Sequence, residues 1–158
     1  MEKQSLKYFG FSLIEIIITI SILALMSSGT YIWFASYQRQ AELDSGAKTI
    51  VTSLRDAQSR SISGNDFKEW GIFFDDTNNK FILFRDEGSG YAGASIKEEN
   101  YLSSFIIFDS TSLAGGCNEI IFKKPKGNTN QTCSIKITDT NGNSFRNISV
   151  SSLGLISN

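Results

Sequence analysis

The chain has 158 residues (17.5 kDa), of which 41% are hydrophobic and 20% charged; this suits one folded body and argues against wholesale disorder. With no histidine and only two cysteines, a Ser-His-Asp triad, a Cys-His nucleophile, an imidazole metal centre and a four-thiolate zinc site are all excluded. Lys and Arg number 15 against 16 Asp and Glu, and the net charge of -1 offers no bulk grip on nucleic acid or anionic lipid.

Charge is spread very unevenly, because residues 16–38 carry none. As a helix rising about 1.5 Å per residue, Phe11 to Ala35 would extend roughly 37 Å, the length of a membrane span. The polar leader before it has Lys3 and Lys7 as its cations, which keeps the N-terminus cytoplasmic and sends the remainder outward. A cleaved secretory signal fits less well, since the apolar run is longer than such an h-region and contains Glu15. An acidic side chain in a membrane helix costs on the order of 2.5 to 3.5 kcal/mol, so Glu15 calls for a partner. One reading is local: Ser12-Leu13-Ile14-Glu15 fits the S-x-x-E capping box that satisfies amides at a helix start.

The run Gly10-Phe11-Ser12-Leu13-Ile14-Glu15, between a short basic leader and an uncharged apolar helix, resembles the type IV prepilin signature. The resemblance implies that a membrane-embedded prepilin peptidase cuts after Gly10 and methylates Phe11, that Lys3 and Lys7 orient the precursor, and that Glu15 is the assembly glutamate. It also implies partners: other pilin or pseudopilin subunits, an inner-membrane assembly platform, and membrane lipid before assembly. Glu15 lies four residues from the α-amine that cleavage would expose, so an axially offset neighbour could pair the two charges and relieve the burial cost of both. The expected organisation is a leader over 1–10, a transmembrane and assembly helix over 11–36, its amphipathic continuation over 37–64, and an exoplasmic β-rich domain over 65–158. Cleavage would leave 13 basic and 15 acidic side chains.

Past the apolar run, Leu43, Ala47, Ile50, Leu54, Ala57 and Ser61 follow steps of four and three, the stripe of an amphipathic helix. Arg39, Glu42, Asp44, Lys48, Thr52, Arg55, Gln58 and Arg60 fall on the other face, and Gly64 supplies a stop. One helix from Ser12 to Ser63 would measure roughly 78 Å. Ser27-Ser28-Gly29-Thr30 interrupts the apolar run with small residues that permit close packing or weaken the helix. The single proline is Pro125, so no proline kink is expected.

After Gly64, short apolar runs between turn residues predict antiparallel sheet. Residues 70–74 and 81–84 flank a turn at Asp75-Asp76-Thr77-Asn78-Asn79-Lys80, and further strands are expected over 105–108, 119–123, 133–138 and 144–150. Asn141-Gly142 is a strong turn signal between the last two. About six strands on one helix stripe make an α+β fold of the type IV pilin kind, a long N-terminal helix packed on an antiparallel β-sheet domain. Glu87 to Asn100, rich in glycine and polar residues, reads as a long mobile loop. Cys117 and Cys133 fall on the exoplasmic side, where an even count favours a disulfide, and they flank an expected hairpin of 120–122 with 134–137.

The helix end Leu54 to Ile62, an Ile120-x-Phe122 motif with a following glycine and a closing strand from Arg146 to Ile156 also resemble the H-type minor pseudopilins of type II secretion and their pilus counterparts. Lys123, Lys124 and Lys126 form the basic cluster of the soluble part; a solvated turn is the first reading and contact with DNA the second, and nucleic acid is not the favoured partner. Asp75, Asp76, Asn78 and Asn79, like Asp139, Asn141 and Asn143, lack EF-hand spacing and read as turn chemistry, with no metal implied. Asn130-Gln131-Thr132 and Asn147-Ile148-Ser149 match the glycosylation sequon by chance. Phe73, Phe81, Phe105 and Phe122 read as core. No nucleophile with a base, carboxylate pair or phosphate loop occurs, so the reading is a structural subunit, not an enzyme, with no cofactor. A minor subunit of a type II secretion pseudopilus or type IV pilus comes first; a major pilin, or a membrane-anchored DNA receptor or adhesin, is the alternative.

Overall fold

The computed structural model describes residues 10–64, 67–95 and 97–158, without the side chains of residues 28–33 and 35. Lys3 and Lys7 of the leader lie outside them. Helix α1 is Leu13–Ile62 and runs through Ser27-Ser28-Gly29-Thr30 as helix. It ends where Gly64 takes a φ of 66° and donates its N–H to the Ser61 carbonyl. The chain divides after Gln38 into two compact units.

In the second unit, from Arg39, the stripe of α1 does what its spacing requires: Leu43, Ala47, Ile50, Leu54, Ala57 and Ser61 are all fully buried. Each buried Leu or Ile contributes about 1.5 to 3 kcal/mol. Against them lie two four-stranded antiparallel sheets. The first has the order β3-β2-β1-β5, from β1 (Glu69–Asp75), β2 (Lys80–Asp86), β3 (Lys97–Tyr101) and β5 (Glu119–Phe122). The second has the order β4-β6-β7-β8, from β4 (Ile106–Phe108), β6 (Cys133–Asp139), β7 (Phe145–Val150) and β8 (Ile156–Ser157). A one-turn helix α2, Ser110–Leu113, follows β4, capped by the Asp109 side chain on the Thr111 N–H. Trp70, Ile72, Phe74, Phe81, Phe122, Ile135, Ile137, Ile148 and Val150 from the two sheets join the helix stripe in one core.

Several expectations are corrected. The segments at 120–122 and 134–137 are not a hairpin: β5 pairs with β1, and β6 with β4 and β7, because each alternating strand buries its apolar face in a different sheet. The closing strand from 146 to 156 is two strands around a turn at Ser151–Leu155. Phe105 is exposed, since Ile106 and Phe108 take the inward positions of β4.

The loop expected over 87–100 is pinned, and its end forms β3. Asp86 accepts the Gly88 and Gly90 amides at 2.8 Å, and Glu119 accepts that of Tyr91 at 2.7 Å. The Tyr91 ring stacks on Phe73 at 4.1 Å and meets Phe84 edge-on, closing the outer face of the first sheet. Glu87 gathers the Ser95 hydroxyl at 2.5 Å, Arg85 at 2.8 Å and Lys68 at 3.0 Å. The Ser95 bond first, then those cations, hold its carboxyl down to about 2.

Candidate assembly site

The first turn of α1 is built on Ser12, whose carbonyl accepts the amides of Glu15 at 3.0 Å and Ile16 at 3.3 Å. Among the described residues neither Ser12 nor Glu15 makes a side-chain hydrogen bond or ion pair, so the reciprocal bonds of a capping box are absent and the exposed Glu15 carboxylate has no partner there. Gly10 has nothing within 4 Å of where a Cβ would stand, and Phe11 is 79% exposed. Among the described residues nothing therefore packs against the Gly10–Phe11 bond.

The large apolar residues from Leu13 to Met26 are between 48% and 75% exposed and point around the whole helix. A soluble surface would not carry them; a helix apolar on every side is one that something else buries. Its hydroxyls suit that fate. Thr19 donates to the Ile16 carbonyl at 2.9 Å, Ser21 to Ile17 at 2.7 Å and Ser27 to Leu23 at 2.7 Å, so none needs water. Among the described residues no helix is long and apolar enough to cross a membrane. The span expected over 11–36 includes positions 28–33 and 35, whose side chains lie outside the described residues.

Cys117 and Cys133 are joined in a disulfide, with Cα atoms 5.4 Å apart. Cys117 leads into β5 and Cys133 opens β6, so the bond ties the two sheets together. The lysine loop is closed by the Lys123–Asn128 bridge and by the Gly127 N–H on the Lys123 carbonyl at 2.7 Å, with a cis peptide before Pro125. Lys124 reaches the Phe67 carbonyl, and none of Lys123, Lys124 and Lys126 meets a carboxylate among the described residues. The Asp and Asn runs are turns. Asp75 accepts the Asn78 amide and side chain, which holds its carboxyl below the usual range, and Asp139 accepts the Ser144 N–H at 2.9 Å. Among the described residues no three His, Cys, Asp or Glu side chains converge as metal ligands.

Sequence reasoning placed Gln58, Asp44 and Arg60 on a free surface, but each ties α1 to the strands or loops packed on it. Gln58 donates to the carbonyls of Gly127 at 2.9 Å and Gly154 at 2.8 Å. Arg146 meets Asp44 at 2.6 Å, and Arg60 pairs with Glu98 at 2.8 Å over the Trp70 ring. Residues beside the stripe border the sheets as well as solvent, and a two-face helix pattern does not separate those positions.

Comparison with known proteins bears on both ends. A family model for the prokaryotic N-terminal methylation motif matches residues 6–31, the prepilin-type signature read from Gly10 to Glu15. No curated protein matches the chain. Among solved structures, the fold is similar to the minor pseudopilin EpsH from the type 2 secretion system of Vibrio cholerae, at 10% identity and a TM-score of 0.54, over 73% of this chain and 94% of that one. The chain thus carries an N-terminal methylation motif on a pseudopilin-like α+β fold.

Proposed function

We propose that the chain is a structural subunit, a minor pseudopilin or minor pilin, that is processed by prepilin peptidase and built into a filament through α1. Hydrolysis of the Gly10–Phe11 bond frees an α-amine at Phe11, which is methylated. Before assembly the apolar segment over 11–36 rests in the inner membrane with the N-terminus cytoplasmic and the β-domain exoplasmic. The assembly platform then lifts it against other subunits. The observation that carries this reading is the unpartnered Glu15 carboxylate at the head of a helix apolar on all sides. Lipid covers such a helix but leaves the carboxylate uncompensated, whereas a neighbouring subunit's Phe11 ammonium covers and neutralises together.

The pseudopilin-like fold and the methylation motif support this reading, and a type II secretion pseudopilus is the favoured machine because EpsH belongs to one. The test is the intact mass and N-terminal sequence of the chain recovered from membranes and from sheared filaments of its own cell. A chain beginning at methylated Phe11 is expected. One beginning at Met1, or cut after the apolar segment, would sink the filament reading and leave an anchored or secreted binding domain.

A further inference from the structure

In the unit that begins at Arg39, the exposed large apolar residues among the described ones fall into two groups. Ile62, Phe67, Leu153 and Leu155 lie where α1 ends. Tyr101, Phe105, Ile107 and Phe145 form the other group, each between 42% and 68% exposed. Turns bring these four together. The Leu102 amide donates to the Asn79 carbonyl at 3.2 Å, the Thr140 amide to the Phe105 carbonyl at 3.0 Å, and Ile107 and Phe145 both flank Thr138 in the second sheet. Glu42 ties the group to the head of the buried stripe, where its carboxylate accepts the Ser103 hydroxyl at 2.7 Å.

Chain length decides what lies near that group. The apolar segment is residues 11–36, and Glu42 is six residues beyond Ser36. An extended chain covers at most about 3.6 Å per residue, so whatever buries that segment begins within about 22 Å of Glu42. Ile62 is twenty residues further along α1, about 30 Å of helix. Phe34 and Tyr37, 67% and 71% exposed, stand at the end of the apolar segment, where aromatic side chains mark the headgroup level of a bilayer.

The group itself has the make-up of an interfacial contact. Two of its rings carry an amine: Lys80 Nζ lies 5.7 Å from the Tyr101 centroid and Lys136 Nζ 5.0 Å from that of Phe145. Such rings enter the acyl boundary while the amine stays at water. Net charge plays little part. Lys80 pairs with Glu99 at 2.8 Å, Lys136 with Asp109 at 3.1 Å and Arg146 with Asp44 at 2.6 Å, while Asp75 and Asp76 stand in the turn before Lys80. Acidic and basic groups are interleaved, so no partner is selected by the sign of its charge, and the four apolar side chains decide what this surface takes.

We propose that this end of the β-domain docks on lipid: Tyr101, Phe105, Ile107 and Phe145 enter the headgroup layer of the bilayer in which residues 11–36 are held before assembly. The inference rests on the membrane-held stage of the proposed function and gives it a second foothold beside the apolar helix. Both footholds belong to one chain, so the bilayer is presented to this surface at high effective concentration and weak individual contacts suffice. Entering a filament then means breaking the lipid contact as well as withdrawing the helix.

The test uses the full chain in phosphatidylcholine vesicles, labelled with a maleimide fluorophore at Ser104→Cys, Leu153→Cys or Ile22→Cys in separate preparations, without reductant so that Cys117–Cys133 stays closed. The quencher is phosphatidylcholine with a nitroxide near the top of its acyl chain. The Ile22 and Ser104 labels are expected to lose about half of their emission or more, and the Leu153 label little. Phe105→Ser with Phe145→Ser should restore the Ser104 emission about twofold and leave Ile22 quenched, whereas Leu153→Ser with Leu155→Ser should change neither. A Ser104 label that keeps its emission while Ile22 is quenched overturns the docking and leaves the membrane-held helix standing; if Ile22 also keeps its emission, that reading of the helix falls too. Equal quenching at Ser104 and Leu153, or quenching at Ser104 that high salt abolishes, would overturn the apolar contact. So would a Ser104 label unquenched in lipid yet shielded from aqueous iodide in cell membranes, which would assign this surface to another protein.

Discussion

At the scale of single residues, Gln58 does more than its place on α1 suggests. One amide satisfies the carbonyls of Gly127 and Gly154, in two loops. Gln58→Ala leaves both without that donor and should lower stability by about 2 kcal/mol, read from chemical denaturation of the full chain in detergent. Gly154 is held still more tightly. Its φ is 83°, and a Cβ there would land on the Gly127 carbonyl oxygen, so Gly154→Ala combines backbone strain with a clash and should cost more than Gln58→Ala. Glu87 makes stability depend on pH. Its carboxyl, held at about 2 against an ordinary 4.5, contributes stability that is fully present above pH 4.5 and is lost as pH falls toward 2. The melting temperature should fall through that window, and Glu87→Gln should flatten part of the slope, with Asp75, Glu99 and Asp109 keeping the rest through their own lowered values.

Among the elements, the disulfide has the clearest mechanical role. No ladder joins the two sheets, and the Cys117–Cys133 bond bridges them at the ends of β5 and β6. Replacing both cysteines with serine should cost about 3 kcal/mol for a loop of this length and speed proteolysis between residues 117 and 133, read on gels against the unmodified chain. The elements also mark how far sequence goes. The α1 stripe, β1, β2 and the Asp75 and Asn141 turns were legible because each is a local pattern. Strand β3, Lys-Glu-Glu-Asn-Tyr, has no apolar alternation and is made a strand by pairing with β2. Strand β8 has two residues, too few to show any period. That β5 and β6 part into different sheets is a non-local choice, set by which inward faces share the core. The methylation motif was legible because Gly10 to Glu15 is contiguous; what only the structure added is that the Ser12 side chain does not hold that of Glu15.

For the whole molecule, the proposed filament role makes Glu15 the residue whose loss would part folding from assembly. Its exposed carboxylate makes no hydrogen bond or ion pair among the described residues, so Glu15→Ala should leave the disulfide in place and stability within about 0.5 kcal/mol, while incorporation into sheared filaments is lost. An anchored receptor would stay in the membrane fraction with or without the substitution, and immunoblots of sheared and membrane fractions distinguish the two. A sheet with an open edge faces a further hazard, which is strand pairing with another copy. One edge of the first sheet is β3, whose Lys97, Glu98 and Glu99 are exposed. Charged side chains along an open edge discourage strand-to-strand sticking. The charges on β3 thereby keep copies of the chain from growing cross-β aggregates through this edge.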